Sequence, residues 1–201
     1  MKGERCFRPP IVQNKKIYTI CIEIMNTDNI MSEKEIKSTI RQVNYCYASN
    51  RRSYNPVNLI ISNIISVGDY FSKEYRNWDA KLINESIFQY YLQKEHSNID
   101  NKPELIFLSS EAEEILEKME ENVIYVIGGM VDRNRYKGYV NDICKSYGFK
   151  SYKLPIKESG IRLNSSVVLA TNHVFDILLE FGVSGNWMHA LINNIPKRKI
   201  K

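Results

Sequence analysis

Residues 123 to 127 read Val-Ile-Tyr-Val-Ile and run straight into Gly128-Gly129 and a turn that crowds Asp132, Arg133, Arg135 and Lys137 together. A short apolar run without polar alternation is a strand buried on both faces, and such strands belong to parallel sheets covered by helices on each side. Ligands of open α/β sheets bind beyond the carboxyl ends of the strands, where paired glycines admit a ligand or another backbone at close range. A strand that stops abruptly at a glycine pair and a cluster of charge is therefore a candidate site.

The rest of the chain fits that frame. Residues 17 to 24 form a second strand that is mostly apolar on both faces. Ser32-Glu-Lys-Glu35 has the form of a capping box, and Ile36, Ile40, Val43 and Tyr47 follow at helical spacing, which predicts a helix over 32 to 48. Residues 51 to 56 read as a loop carrying Arg51 and Arg52, and residues 57 to 65 as a β-branched strand that completes a βαβ unit. A short helix is expected around Ile87 to Leu92 and a loop from His96 to Pro103.

Leu105 to Leu108 is a short buried strand. Ser110-Glu-Ala-Glu113 is a second capping box, which predicts a helix with Ile115, Leu116 and Met119 on its inner face. Tyr139, Val140, Ile143 and Tyr147 form a helical stripe closed by Gly148, and residues 149 to 154 form the last strand, stopped by Pro155. A long apolar helix is expected over 167 to 181, broken by Gly182 and Gly185, with a final short helix over 187 to 195. Alternating strands and helices imply an α/β fold with a mainly parallel sheet and helices on both faces. One domain over 16 to 195 is expected, preceded by a short polar lead-in over 1 to 15 and followed by a basic tail over 196 to 201.

At 201 residues, 43% hydrophobic and 25% charged, the chain is large enough for one well-buried core. Its formal charge of +5 is modest, but the cations cluster at Arg51-Arg52, at Arg133 to Lys137 and at Lys197 to Lys201, a distribution suited to a polyanion or simply to a solvated face. The four cysteines lie far apart, with no ligand-spaced histidines, so neither a zinc site nor a disulfide framework is indicated. No apolar run approaches the ~20 residues of a membrane span, and the polar start lacks the apolar segment of a secretory signal. The cytosol or nucleus is the expected location, and neither a membrane nor a metal is expected among its partners. The glycine fingerprint of dinucleotide binders, the Walker loop, G-x-S-x-G and H-E-x-x-H are all absent.

Gly128-Gly129-Met-Val-Asp132-Arg-Asn-Arg-Tyr-Lys-Gly138, then Leu154-Pro-Ile156, Val168-Leu-Ala-Thr-Asn172-His-Val-Phe175, Asn186-Trp187 and Pro196-Lys-Arg-Lys199 occur in that order. Together they resemble the SPOUT-superfamily tRNA methyltransferases that methylate N1 of the purine at position 9, most of all the eukaryotic guanine-9 enzymes. The resemblance covers roughly residues 17 to 199. It implies a C-terminal trefoil knot, a rare exception to unknotted connections, a bent S-adenosylmethionine among the knot loops, tRNA as partner, and a monomer.

Carried over by position, the resemblance implies that the cofactor lies against Leu108, Ser109, Gly128, Gly129, Asp132, Lys137, Leu154, Ile156, Val168 and Asn172. It places Asp132 at the catalytic centre, where a carboxylate can take or steady the proton of guanine N1; an Asp before Asn-Arg is equally an ordinary helix cap. Arg51, Arg52, Arg133, Asn134, Arg135, Lys197 and Arg198 would face the RNA. His173 and Trp187 read as packed helix residues. Relatives commonly end the first strand in Asp-Cys-x-Phe-Asp-Asp-Leu-Met, whereas this chain has Ile24-Met-Asn-Thr-Asp28-Asn-Ile-Met31; the long basic N-terminal extension of many eukaryotic members is expected to be nearly absent. Adenine at position 9, or a tRNA-binding scaffold without turnover, are the alternatives.

Overall fold

The structure, a computed structural model, describes residues 16–71, 73–93, 102–131, 135–136, 138–164 and 166–201. Seven strands of the described residues form one sheet: β1 (Thr19–Ile24), β2 (Asn58–Ser62), β3 (Lys81–Leu82), β4 (Glu104–Leu108), β5 (Glu114–Ile115), β6 (Val123–Gly129) and β7 (Lys150–Lys153). Their spatial order is β3-β2-β1-β6-β4-β7-β5 and every pair in it is parallel. Among the described residues five α-helices cover it: α1 (Glu33–Arg52), α2 (Ile87–Gln93), α3 (Tyr139–Tyr147), α4 (Thr171–Ser184) and α5 (Trp187–Asn194).

Alternate residues of the central strands feed two cores. Ile20, Ile22 and Ile24 of β1 join Tyr125 and Ile127 of β6 under α1, α4 and α5, with Val43, Phe175 and Leu178 fully buried among them. Cys21 and Val126 point the other way, where they meet Phe88 of α2, Phe107 and Cys144 of α3. Burial on both faces is why these strands read as unbroken apolar runs.

Local chemistry explains the element ends. The Ser32 amide donates to the Glu35 carboxylate at 2.8 Å, closing the capping box that starts α1. The helix then runs through Arg51 and Arg52, which the sequence alone assigns to a loop, and stops where the Asn50 side chain exchanges hydrogen bonds with Val57 at 2.8 and 3.0 Å. β2 is shorter than expected because Asn63 turns left-handed at φ 59 and donates to the Ile24 carbonyl at 2.7 Å, after which Ile64–Tyr70 forms a 3-10 helix. Gly148, at φ 71, ends α3 as its position predicts.

Three expectations fail. The helix predicted from the capping box at 110 to 113 does not form. Instead β5 pairs with β7, the Leu116 amide donates to Lys153, the Glu120 amide to the Tyr125 hydroxyl, and the Trp187 indole to the Glu117 carbonyl at 2.7 Å. These partners use backbone groups that a helix would need, while Leu116 and Met119 are still buried. Helix α4 starts at Thr171, four residues later than expected: residues 166–170 bend at Val167, give the Ser166 and Val168 carbonyls to Lys199, and reach an extended Ala170 (φ −69, ψ 151) just before the helix. Gly182 does not break α4; a side chain there would meet the Tyr18 ring at 3.2 Å, and the helix ends only at Gly185, φ 63.

Candidate methyl-donor cavity and basic surface

The carboxyl ends of β4, β6 and β7 are in register, with Leu108 opposite both Ile127 and Tyr152. Beyond them opens a cavity of about 290 Å³, close to the lower end of the ~300–1,000 Å³ typical of small-molecule sites. One wall is Leu108 to Glu111 after β4, a second Ile127 and Gly128 of β6, and a third Lys153, Leu154 and Ile156 after β7. Val167, Val168, Leu169 and Thr171 close it from the start of α4, and Met25, Tyr139 and Val140 from the other layer.

Several contacts hold this mouth. Thr171 Oγ1 donates to the Gly128 carbonyl at 2.9 Å and the Thr171 amide to Gln42 of α1 at 2.9 Å, so the α4 start is tied to β6 and α1 at once. A methyl at Gly128 would meet Met25 Sδ at 3.2 Å and Val140 at 3.3 Å, whereas one at Gly129 would meet the Glu23 carbonyl and Ile22 at 3.1 Å. The first glycine therefore keeps space beside the cavity; the second lets β6 lie close against β1.

Of the residues expected to hold a cofactor, Leu108, Ser109, Gly128, Leu154, Ile156 and Val168 line this cavity. Gly129 lies against β1 and the half-buried Asn172 is not part of the lining. Asp132 and Lys137 lie outside the described residues, as do Arg133 and Asn134. Thr171 and Met25 join the lining without having been anticipated; a Thr at the start of an apolar helix was the available signal for the first.

Arg135 pairs with Glu35 at 2.7 Å and keeps about half its side chain exposed (49%). Arg51 pairs with Asp79 at 3.2 Å. Arg52 is exposed on the last turn of α1, and Lys197 and Arg198 are exposed on the 3-10 turn Lys197–Lys199. The Arg52 charge bears on Asp176 and the Arg198 charge on His173, both residues of α4. Burial, then the Arg198 and Lys199 charges, push the His173 imidazole below its usual range against the pull of Asp176.

Glu23 was also not anticipated. Its carboxylate, 2% exposed at the end of β1, accepts from Ser62 Oγ at 2.5 Å and from the Ile87 amide at 2.9 Å. Burial pushes it above the usual carboxylate range, with those hydrogen bonds opposing. Among the described residues no three His, Cys, Asp or Glu side chains are grouped to hold a metal ion, and no helix is long and apolar enough to cross a membrane.

A family model described as tRNA (guanine(9)-N(1))-methyltransferase TRM10/TRM10A matches residues 4–200. The chain belongs to this family. It is 37% identical to rat tRNA methyltransferase 10 homolog A over 173 residues, covering 86% of this chain and 50% of the relative. The Schizosaccharomyces pombe tRNA (guanine(9)-N1)-methyltransferase is 33% identical over 177 residues, covering 86% and 56%. The chain thus spans about half the length of the curated relatives it matches. A crystal structure of full-length spTrm10 in complex with SAH superposes with a TM-score of 0.74 at 28% identity, covering 92% of this chain and 100% of that one. The dual-specific Trm10 of Thermococcus kodakaraensis shares the fold, with a TM-score of 0.64 at 20% identity over 88% of this chain and 98% of that one. The parallel sheet with helices on both faces is the architecture of TRM10 proteins.

Proposed function

We propose that this protein transfers a methyl group from S-adenosylmethionine to N1 of guanine at position 9 of tRNA. The observation that carries the reading is the cavity at the ends of β4, β6 and β7, built from the three strand-end segments that the family resemblance assigns to the cofactor. Its residues fit such a group. Leu154, Ile156, Val167 and Leu169 offer apolar faces for a purine ring, Ser109, Ser110 and Thr171 offer hydroxyls, and Gly128 keeps open space that a Cβ would narrow. When bound there, S-adenosylmethionine supplies an electrophilic methyl carbon.

The chain's own residues then orient the base and manage a proton. Guanine N1 is protonated at neutral pH, so its N–H bond must break as the N–C bond forms, and Asp132 is the carboxylate that the family motif offers to receive or steady that proton. Arg51, Arg52, Arg133, Asn134, Arg135, Lys197 and Arg198 engage tRNA phosphates around a target base that has left its stack. The working unit is a monomer acting in the cytosol or nucleus; light scattering after gel filtration tests the first point.

Methyl transfer to tRNA transcripts carrying G or A at position 9, followed by nucleoside mapping, tests the function. Transfer to G9 is expected; transfer to A9 alone would replace the substrate, and transfer to neither, with tRNA still bound, would leave a scaffold. Neutral adenine N1 has no proton to lose, so Asp132→Asn should depress guanine methylation well beyond any adenine methylation. Equal loss on both bases would remove Asp132 from proton handling.

A further inference from the structure

The last turn of the chain reaches back to the cavity. Ile200 pairs with Leu163 in an antiparallel bridge, the Asn164 amide donates to the Lys199 carbonyl at 2.7 Å, the Asn164 side chain to the Ile200 carbonyl at 2.9 Å, and the Lys201 amide to Arg162 at 2.9 Å. This clip fixes the backbone of Lys199 beside the segment that precedes α4. From there Lys199 Nζ donates to two main-chain carbonyls, Ser166 O and Val168 O, each at 2.8 Å. Val167, Val168 and Leu169 are the cavity wall on that side.

Two carbonyl oxygens converging on one point repel each other unless a donor sits between them, and a tetrahedral ammonium with three N–H bonds can serve both at once. Residues 166–170 belong to no helix or strand and bend at Val167, so their path depends on such ties. At the far end the tie is Thr171 to Gly128; at the near end it is Lys199.

We propose that Lys199 is a positioning residue for the methyl-donor cavity, with the tail over 197 to 201 acting as a strap that sets the Val167 to Leu169 wall, rather than serving tRNA contact alone. The assignment rests on the cofactor reading above. Lys197 and Arg198, in the same 3-10 turn, remain on the exposed side, so one short turn faces polyanion on one side and the cofactor wall on the other.

The test uses the full chain and calorimetric titration with S-adenosylhomocysteine. Lys199→Met should weaken binding about tenfold, the scale of losing hydrogen bonds to a charged donor, with little change in thermal midpoint. Lys199→Arg, whose planar fork matches the two carbonyls less well, should fall between. Lys145→Met removes one exposed charge from α3, outside the strap and the wall, and should bind like the unsubstituted chain. In turnover, Lys199→Met should raise KM for the methyl donor far more than KM for tRNA. Unchanged S-adenosylhomocysteine affinity in Lys199→Met, or an equal loss in Lys145→Met, would overturn the inference while leaving the cofactor reading intact. No binding by the unsubstituted chain would overturn that reading itself, and the inference with it.

Discussion

The neighbouring glycines at the end of β6 make a sharp test, because the same substitution should fail in two different ways. In Gly129→Ala the new methyl lies 3.1 Å from the Glu23 carbonyl, 3.1 Å from Ile22 and 3.5 Å from the Ile24 Cα. These atoms belong to β1, which is paired to β2 on one side and β6 on the other, so the obstacle is backbone that cannot retreat. Overpacking of this kind costs about 1–3 kcal/mol, less about 0.4–1 kcal/mol returned by a stiffer unfolded chain. A net loss of about 1–2 kcal/mol corresponds to a fall of roughly 2–8 °C in a chain of this size.

In Gly128→Ala the obstacles are Met25 Sδ at 3.2 Å and Val140 Cγ2 at 3.3 Å. Both are side-chain ends, and an unbranched thioether moves readily, so the thermal midpoint should change by less than about 2 °C. The added methyl instead narrows the cavity mouth, where misfit by one carbon is worth roughly 10–200-fold in binding. Differential scanning fluorimetry and calorimetric titration with S-adenosylhomocysteine separate the two effects. If Gly129→Ala melts at or above the parent, or Gly128→Ala is the less stable of the pair, the contact argument is wrong.

Three further outcomes follow from single contacts. Because burial raises the Glu23 pKa, the folded chain holds that proton more tightly than the unfolded one, and stability should fall as pH rises from the ordinary carboxylate range through the raised value. The Ser62 and Ile87 donors reach one carboxylate oxygen and the Ser86 side chain also bonds the carboxylate, so Glu23→Gln keeps at least the first two and should flatten that slope in urea titrations run upward from the ordinary carboxylate range; an unchanged slope would exclude Glu23 as its source. Phe175→Ala empties a fully buried position and should cost about 3–5 kcal/mol by chemical denaturation. Arg52→Ala should lower the salt slope of tRNA binding by about 1 in fluorescence anisotropy, and an unchanged slope would place Arg52 away from phosphate.

Much of this was legible in the chain. The apolar runs of β1 and β6 and the box before α1 are local signals with local causes, and their elements formed where expected. The capping box at residue 110 carries the same signal and fails, because the β7 edge and the Trp187 indole compete for the same backbone groups. Contest between local and distant partners is invisible to spacing. The same limit applies to the site. Strand-end segments could be placed by motif, whereas the ties of Thr171 to Gly128 and of Lys199 to residues 166 and 168 join positions far apart in sequence. Glu23 had a visible signal, an acid inside an apolar strand, but its partners on β2 and α2 did not.

The register of the central strands has a consequence for how the protein is made. β1 pairs along its whole length with β6, roughly a hundred residues further on. At about 5–20 residues per second the ribosome releases β6 some 5–20 s after β1. Throughout that interval the nascent chain can complete only the β1-α1-β2 unit and add β3 to its far edge, leaving the other edge of β1, Thr-Ile-Cys-Ile-Glu-Ile, as an open apolar strand. A message truncated before codon 123 would therefore yield a sticky half-sheet, and the cell's chaperones should be most needed while the middle third of the chain is being translated.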